Sequence, residues 1–215
     1  VPGASDRSLD PWFARGPAGT ADDEQVLYAV VSGEFPAGTV VDLPGSARPT
    51  GWRVAVRSVR ERVVSVQVDA TGAPQLWFVD LPDPHADPAA RTVIAFSDSR
   101  FADGMVLDAP EAQRHGIAGD HQVAALRWWT ESGLVHQIYV RPAYRRRGVG
   151  GKLAQAAFGL QAASGGPPLY GDGRRTDMGE DWRARLPEEL AVRMAPRTHR
   201  MAPMTPGELV PAGVS

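Results

Sequence analysis

Apolar and polar residues alternate through much of the first half of the chain, the mark of strands with one face buried. Trp52 to Ser58 (WRVAVRS) alternates most clearly. Val26 to Ser32 (VLYAVVS), ending at Gly33, and Gly38 to Leu43 (GTVVDL), closed by Pro44-Gly45, are rich in β-formers, and Thr92 to Phe96 (TVIAF) reads the same way. Val63 to Val68 and Gln75 to Leu81 flank Asp69-Ala70-Thr71-Gly72-Ala73-Pro74, a composition that predicts a hairpin turn. From Glu24 to Leu107 neither a long helical period nor an internal repeat is evident.

The pattern then changes. Pro110 to Ile117 predicts a short helix, stopped by Gly119. Gln122 to Trp129 predicts a strand, joined through Thr130-Glu131-Ser132-Gly133 to another at Leu134 to Val140, so an antiparallel hairpin is expected. Val149 to Ala163 is alanine-rich, with Leu153, Ala156, Ala157 and Leu160 at the spacing of a helix face that packs on a sheet. Ser164-Gly165-Gly166-Pro167-Pro168 ends that helix. Leu169-Tyr170-Gly171 is a very short strand, and Thr176 or Asp177 caps a helix over Met178 to Leu186.

The predicted organisation is an α/β (α+β) fold. Residues 1–22 form an extended arm without regular structure, with Trp12 and Phe13 among its prolines and glycines. Residues 23–110 form a β-rich region, 111–186 a mixed sheet with flanking helices, and 187–215 a second arm rich in proline and methionine.

Composition narrows the function classes. The chain has 215 residues and a formal net charge of -2, which gives no global electrostatic case for nucleic acid or a membrane surface. It has no cysteine, hence no disulfide, no thiol nucleophile and no thiolate-bound metal. The absence of a long apolar run and of a leader pattern predicts a soluble, cytoplasmic protein. Asp80, Asp83, His85 and Asp87 lie close together, but the prolines between them favour a solvated turn over a metal site. His115 and His121 are not at ligand spacing on a helix, so no metal is expected.

The most specific stretch is Leu134 to Leu153, LVHQIYVRPAYRRRGVGGKL: a strand, a proline, a basic glycine loop and the start of a helix. Glycines at 148 and 150 let the backbone come close to a ligand. Amides at a helix start then converge on an anion, and Arg145, Arg146 and Arg147 add charge. A Walker loop fails, because Arg146 stands where its first glycine belongs and Leu153 where its Ser/Thr belongs. A dinucleotide fingerprint fails because Leu153 replaces its third glycine.

Arg145, Gly148 and Gly150, after a strand ending Val140-Arg141-Pro142 and before an amphipathic helix, resemble the Arg/Gln-x-x-Gly-x-Gly/Ala loop of the GNAT acyl-CoA transferase superfamily. The resemblance covers roughly residues 118–186. It implies a GNAT-like mixed sheet, and acetyl-CoA or another acyl-CoA as co-substrate. The loop Arg145, Arg146, Arg147, Gly148, Val149, Gly150 and Gly151 would bind pyrophosphate, and the backbone of Ile138, Tyr139 and Val140 would pair with pantetheine. Where family members often carry a glutamate base, this chain offers His136; the helix that usually supplies a tyrosine acid has none. Two functions follow as expectations. One is N-acyl transfer to a small-molecule or protein amine. The other is a non-catalytic assembly protein with a degenerate GNAT fold, forming a homo-oligomer or larger particle through its arms.

Overall fold

The structure, a computed structural model, describes residues 10–18 and 23–202. A first five-stranded sheet is built from β1 (Trp12–Pro17), β2 (Glu24–Val30), β3 (Val40–Asp42), β4 (Trp52–Val59) and β5 (Arg62–Val68). A second is built from β6 (Trp77–Asp83), β7 (Ala90–Phe96), β8 (Val106–Asp108), β9 (Ala124–Trp129) and β10 (Val135–Val140). Helix α1 (Ala109–Arg114) follows β8 and α2 (Val149–Ala163) follows β10. A parallel pair, β11 (Arg174–Arg175) and β12 (His199–Arg200), encloses α3 (Asp177–Arg183) and α4 (Glu188–Ala191). The architecture is the mixed α/β one expected, with a β-rich N-terminal region.

The two sheets have one topology. The first runs β3-β1-β2-β4-β5 and the second β8-β6-β7-β9-β10, with only β1·β3 and β6·β8 parallel. Both carry a bulge at the matching place in the last strand, with Val64 the extra residue in β5 and His136 in β10. Trp12 Nε1 donates to Ser32 Oγ at 2.9 Å, and its counterpart Trp77 Nε1 donates to Asp98 Oδ1 at 3.0 Å. Trp12 meets Phe35 edge-on at 4.7 Å, and Trp77 meets Phe101 edge-on at 4.8 Å. Ala29, Phe35, Gly38, Val40, Asp42 and Pro44 recur at the same spacing as Ala95, Phe101, Gly104, Val106, Asp108 and Pro110. The chain therefore does contain an internal repeat, which the sequence did not reveal because so few positions are identical.

Helix α2 lies between the sheets. Leu153, Ala156, Ala157 and Leu160 are buried, as their spacing predicted, but so are Ala154, Gln155, Phe158 and Gln161 on the other faces. The reason is that both sheets pack on it. A Cβ on Gly159 would stand 2.6 Å from Val54 Cγ1 in the first sheet, while Gln161 Oε1 accepts from Trp128 Nε1 in the second at 2.8 Å. Gln161 Nε2 donates to Thr130 O at 2.8 Å, so the buried amide uses both its ends. One continuous core, from Val54, Val56 and Val66 to Val93, Leu126 and Trp128, encloses the helix.

Three further expectations fail. Trp12–Pro17 is no arm: pairing with β2 on one side and β3 on the other makes it a strand, and Trp12 and Ala14 are buried. Residues 1–9 and 19–22 of that arm lie outside the described residues. The 69–74 turn is not a hairpin, because β5 pairs with β4 and β6 with β7, and the turn crosses from one sheet to the other. Within the expected C-terminal arm, Leu190 and Met194 are buried in the core. The 203–215 part of that arm lies outside the described residues. The β9–β10 hairpin and the Thr176 cap, whose hydroxyl accepts from Gly179 N at 3.0 Å, form as expected.

Candidate functional site

Strand β10 is the outermost strand of its sheet. Its outer edge is taken at one end, where Val135 N donates to Tyr170 O at 2.8 Å, and at the other, where Arg145 Nε donates to Val140 O at 3.0 Å. Between them the direction of each backbone group follows from the ladder. Arg141 N donates inward to Val123 O, and antiparallel pairs alternate, so Tyr139 also faces β9 while Ile138 and Val140 face outward. The free stretch is the one that the family resemblance implies for pantetheine.

After β10 the chain turns through Pro142, Ala143 and Tyr144 into the glycine loop. Arg146 (φ 61°) and Gly148 (φ 76°) both take the left-handed conformation, which costs Gly148 nothing. Gly148 is the N-cap of α2 and offers no side chain to cap it. The first amide of the helix that the chain itself pairs is that of Lys152, to Gly148 O at 3.0 Å. The amides of Val149, Gly150 and Gly151 belong to the open first turn and sit at the positive end of the helix dipole.

The walls of this spot are named by what a side chain would meet at each glycine. A Cβ on Gly148 would stand 3.1 Å from the Cβ of Ala73, in the turn between the sheets. A Cβ on Gly150 would stand 2.9 Å from Trp182 Nε1 and 3.5 Å from Val140 Cγ2. A Cβ on Gly151 would meet no atom of the described residues within 4 Å. Gly151 is half-buried and approachable from its outer side, whereas Val149 and Gly150 are buried, walled by Ala73 and Trp182. The group fits an anion there, and the exposed Arg146 and Arg147 lie beside it. Arg147 rests over the Tyr144 ring at 5.9 Å. Arg145 is directed beneath the loop, onto Val140 O and Met178 Sδ.

His136 is exposed and leans on Trp129, ring centroids 4.6 Å apart. Val135, Ile138 and Val140 pack toward α2, so the bulge turns His136 to the other face of the sheet, with Arg127 and Trp129. The structure thus gathers Arg145 to Gly151 with the Ile138–Val140 edge and leaves His136 on the opposite face. Two of the aspartates considered for a metal hold arginines: Asp80 binds Arg91 at 2.6 Å and Asp83 binds Arg127 at 3.0 Å.

Three contributors were missed in the sequence. Lys152 is buried, 4% exposed, and its Nζ binds Asp103 Oδ1 at 2.7 Å and Pro74 O at 3.0 Å. Asp103 Oδ1 also accepts from Leu76 N at 2.7 Å. Together they clamp the Ala73–Pro74 turn beside the start of α2. The available signal was that Lys152 is the one charged residue in the whole of α2. Trp182 is the third, its buried Nε1 without a hydrogen-bond partner among the described residues.

Residues 104–165, from the end of the second sheet's loop through α2, match the model of the acetyltransferase (GNAT) family. That segment contains the whole glycine loop and the hairpin before it. No curated protein and no solved structure matches the chain.

Proposed function

We propose that this protein is an acyl-CoA-dependent N-acyltransferase that places the CoA pyrophosphate on the amides of Val149, Gly150 and Gly151. The observation that carries the reading is the conjunction of that open first helical turn with a free strand edge at Ile138, inside the segment matched to the family. Acyl-CoA supplies an activated thioester. The chain's part is to hold its phosphates by amide dipoles and the Arg146 and Arg147 charges, and to align its amide-bearing arm along Ile138 and Val140. His136, the base that the resemblance offers, stands on the other face of the sheet with Trp129, so this reading gives it no step at the loop. The acceptor is a small molecule or a protein amine.

A second reading, a non-catalytic assembly protein built on the same fold, is favoured by Trp182, which stands against Gly150 from a helix that carries no tyrosine. Titration calorimetry with acetyl-CoA and with desulfo-CoA separates the two. Saturable binding that weakens when Gly151 is replaced supports the transferase; no heat at millimolar ligand leaves the assembly reading.

A further inference from the structure

The repeated topology extends to the edges where the units meet. The first unit ends in β5, the counterpart of β10, and its outer edge is not free. Val66 N donates to Gly104 O at 2.7 Å, and Ser65 forms an antiparallel bridge with Met105. Register matches Val66 to Ile138: Val66 lies opposite Val56 and Ile138 opposite Leu126, each on the same side of its bulge. The backbone around the junction is also duplicated. Gly38 N donates to Pro11 O as Gly104 N does to Leu76 O, and Phe13 N to Thr39 O as Phe78 N does to Met105 O. Both glycines are left-handed, with φ of 76° and 79°. They differ in surroundings alone. A Cβ on Gly104 would lie 2.6 Å from Val66 O, whereas one on Gly38 would meet nothing within 4 Å.

We infer that the chain carries two copies of one binding edge, and that the first is permanently filled by the second unit's own backbone at Asp103–Met105. Only the β10 edge is left for a ligand. Asp103 and Lys152 secure the filled copy, because the same pair that binds the start of α2 also anchors the segment lying on β5. The first unit has no glycine loop and no helix after its last strand; Asp69–Gln75 runs straight on to β6. The ligand part of this inference rests on the proposed function, while the filled edge stands on hydrogen bonds within the chain.

Residue-resolved amide exchange on the full chain tests both parts. In the ligand-free protein the Val66 amide is expected to exchange at least 100-fold more slowly than that of Ile138. Gly104→Ala should speed Val66 exchange tenfold or more while leaving Ile94, at the centre of β7, unchanged. Gly38→Ala carries the same backbone penalty in open space and should leave Val66 as it was. Desulfo-CoA should bind with a stoichiometry of one and slow Ile138 exchange. Equal protection of Val66 and Ile138 without ligand overturns the filled edge, and if Gly104→Ala does not fold, this wild-type contrast still decides. Saturable binding that leaves Ile138 unprotected, or that takes two ligands per chain, overturns the ligand part while sparing the proposed function. Absence of any binding refutes the proposed function and the ligand part together, and the Val66–Ile138 contrast then decides the filled edge on its own.

Discussion

Replacing Gly151 by glutamate separates ligand binding from folding. Gly151 is the third residue of α2, and a Cβ there meets nothing within 4 Å, so the new side chain has room. Losing a helical glycine gains roughly 0.5 kcal/mol. A carboxylate in the first turn adds about 0.3–1 kcal/mol through the helix dipole. The variant should therefore be about 1 kcal/mol more stable than the wild type, read as a higher urea midpoint with an unchanged slope. The same carboxylate opposes a bound pyrophosphate. At a separation of about 6 Å and an effective dielectric of about 20, each pair of charges repels by about 3 kcal/mol, which salt reduces to about half. CoA affinity should fall at least tenfold, and about 100-fold at low salt. Affinity within twofold of the wild type, in a variant that folds normally, would show that the phosphates do not sit on this turn.

Other outcomes follow from single contacts. Asp103→Ala leaves a buried ammonium unpaired and should cost about 3 kcal/mol, whereas Lys152→Met leaves behind a carboxylate that is 42% exposed and should cost about 1; equal losses in urea denaturation would contradict this asymmetry. The Asp108 carboxyl is lowered first by the Glu111 amide and then by Arg62, and the Glu111 carboxyl is lowered first by Arg62. Their contribution is complete above the ordinary values of 3.8 and 4.5 and is lost as acid carries the pH down through the lowered ones. Glu111→Gln should thus be less stable than wild type at pH 7, with the gap closing toward pH 3; a gap that stays constant would rule the linkage out. His136→Ala should leave CoA affinity unchanged, because the ring stands on the other face of the sheet from the loop. Loss of CoA affinity instead would assign His136 to binding.

Local signals were legible and pairings were not. Alternation at Trp52 to Ser58 and the β-formers at Val26 to Ser32 mark strands whatever their partners, and both form. The glycine loop is a local motif and lies where its residues place it, at the start of α2. Trp12–Pro17 is different: proline and glycine flank it, and only long-range pairing to β2 and β3 makes it extended and buried. The 69–74 segment has the residues of a hairpin turn, yet its flanks are drawn to different sheets, and Lys152 and Asp103, remote in sequence, fix its path. The duplication was hidden for the same reason. What the units share is register, a bulge and a buried Trp–Phe pair, and each of those is a relation between distant residues.

The central claim is that the β10 edge and the first turn of α2 form one acyl-CoA site. Calorimetric titration of the full chain with desulfo-CoA measures this most directly. Saturable binding of one ligand per chain is expected, weakened at least tenfold by Gly151→Glu. No heat of binding at millimolar ligand, from protein that unfolds cooperatively in urea, would contradict it.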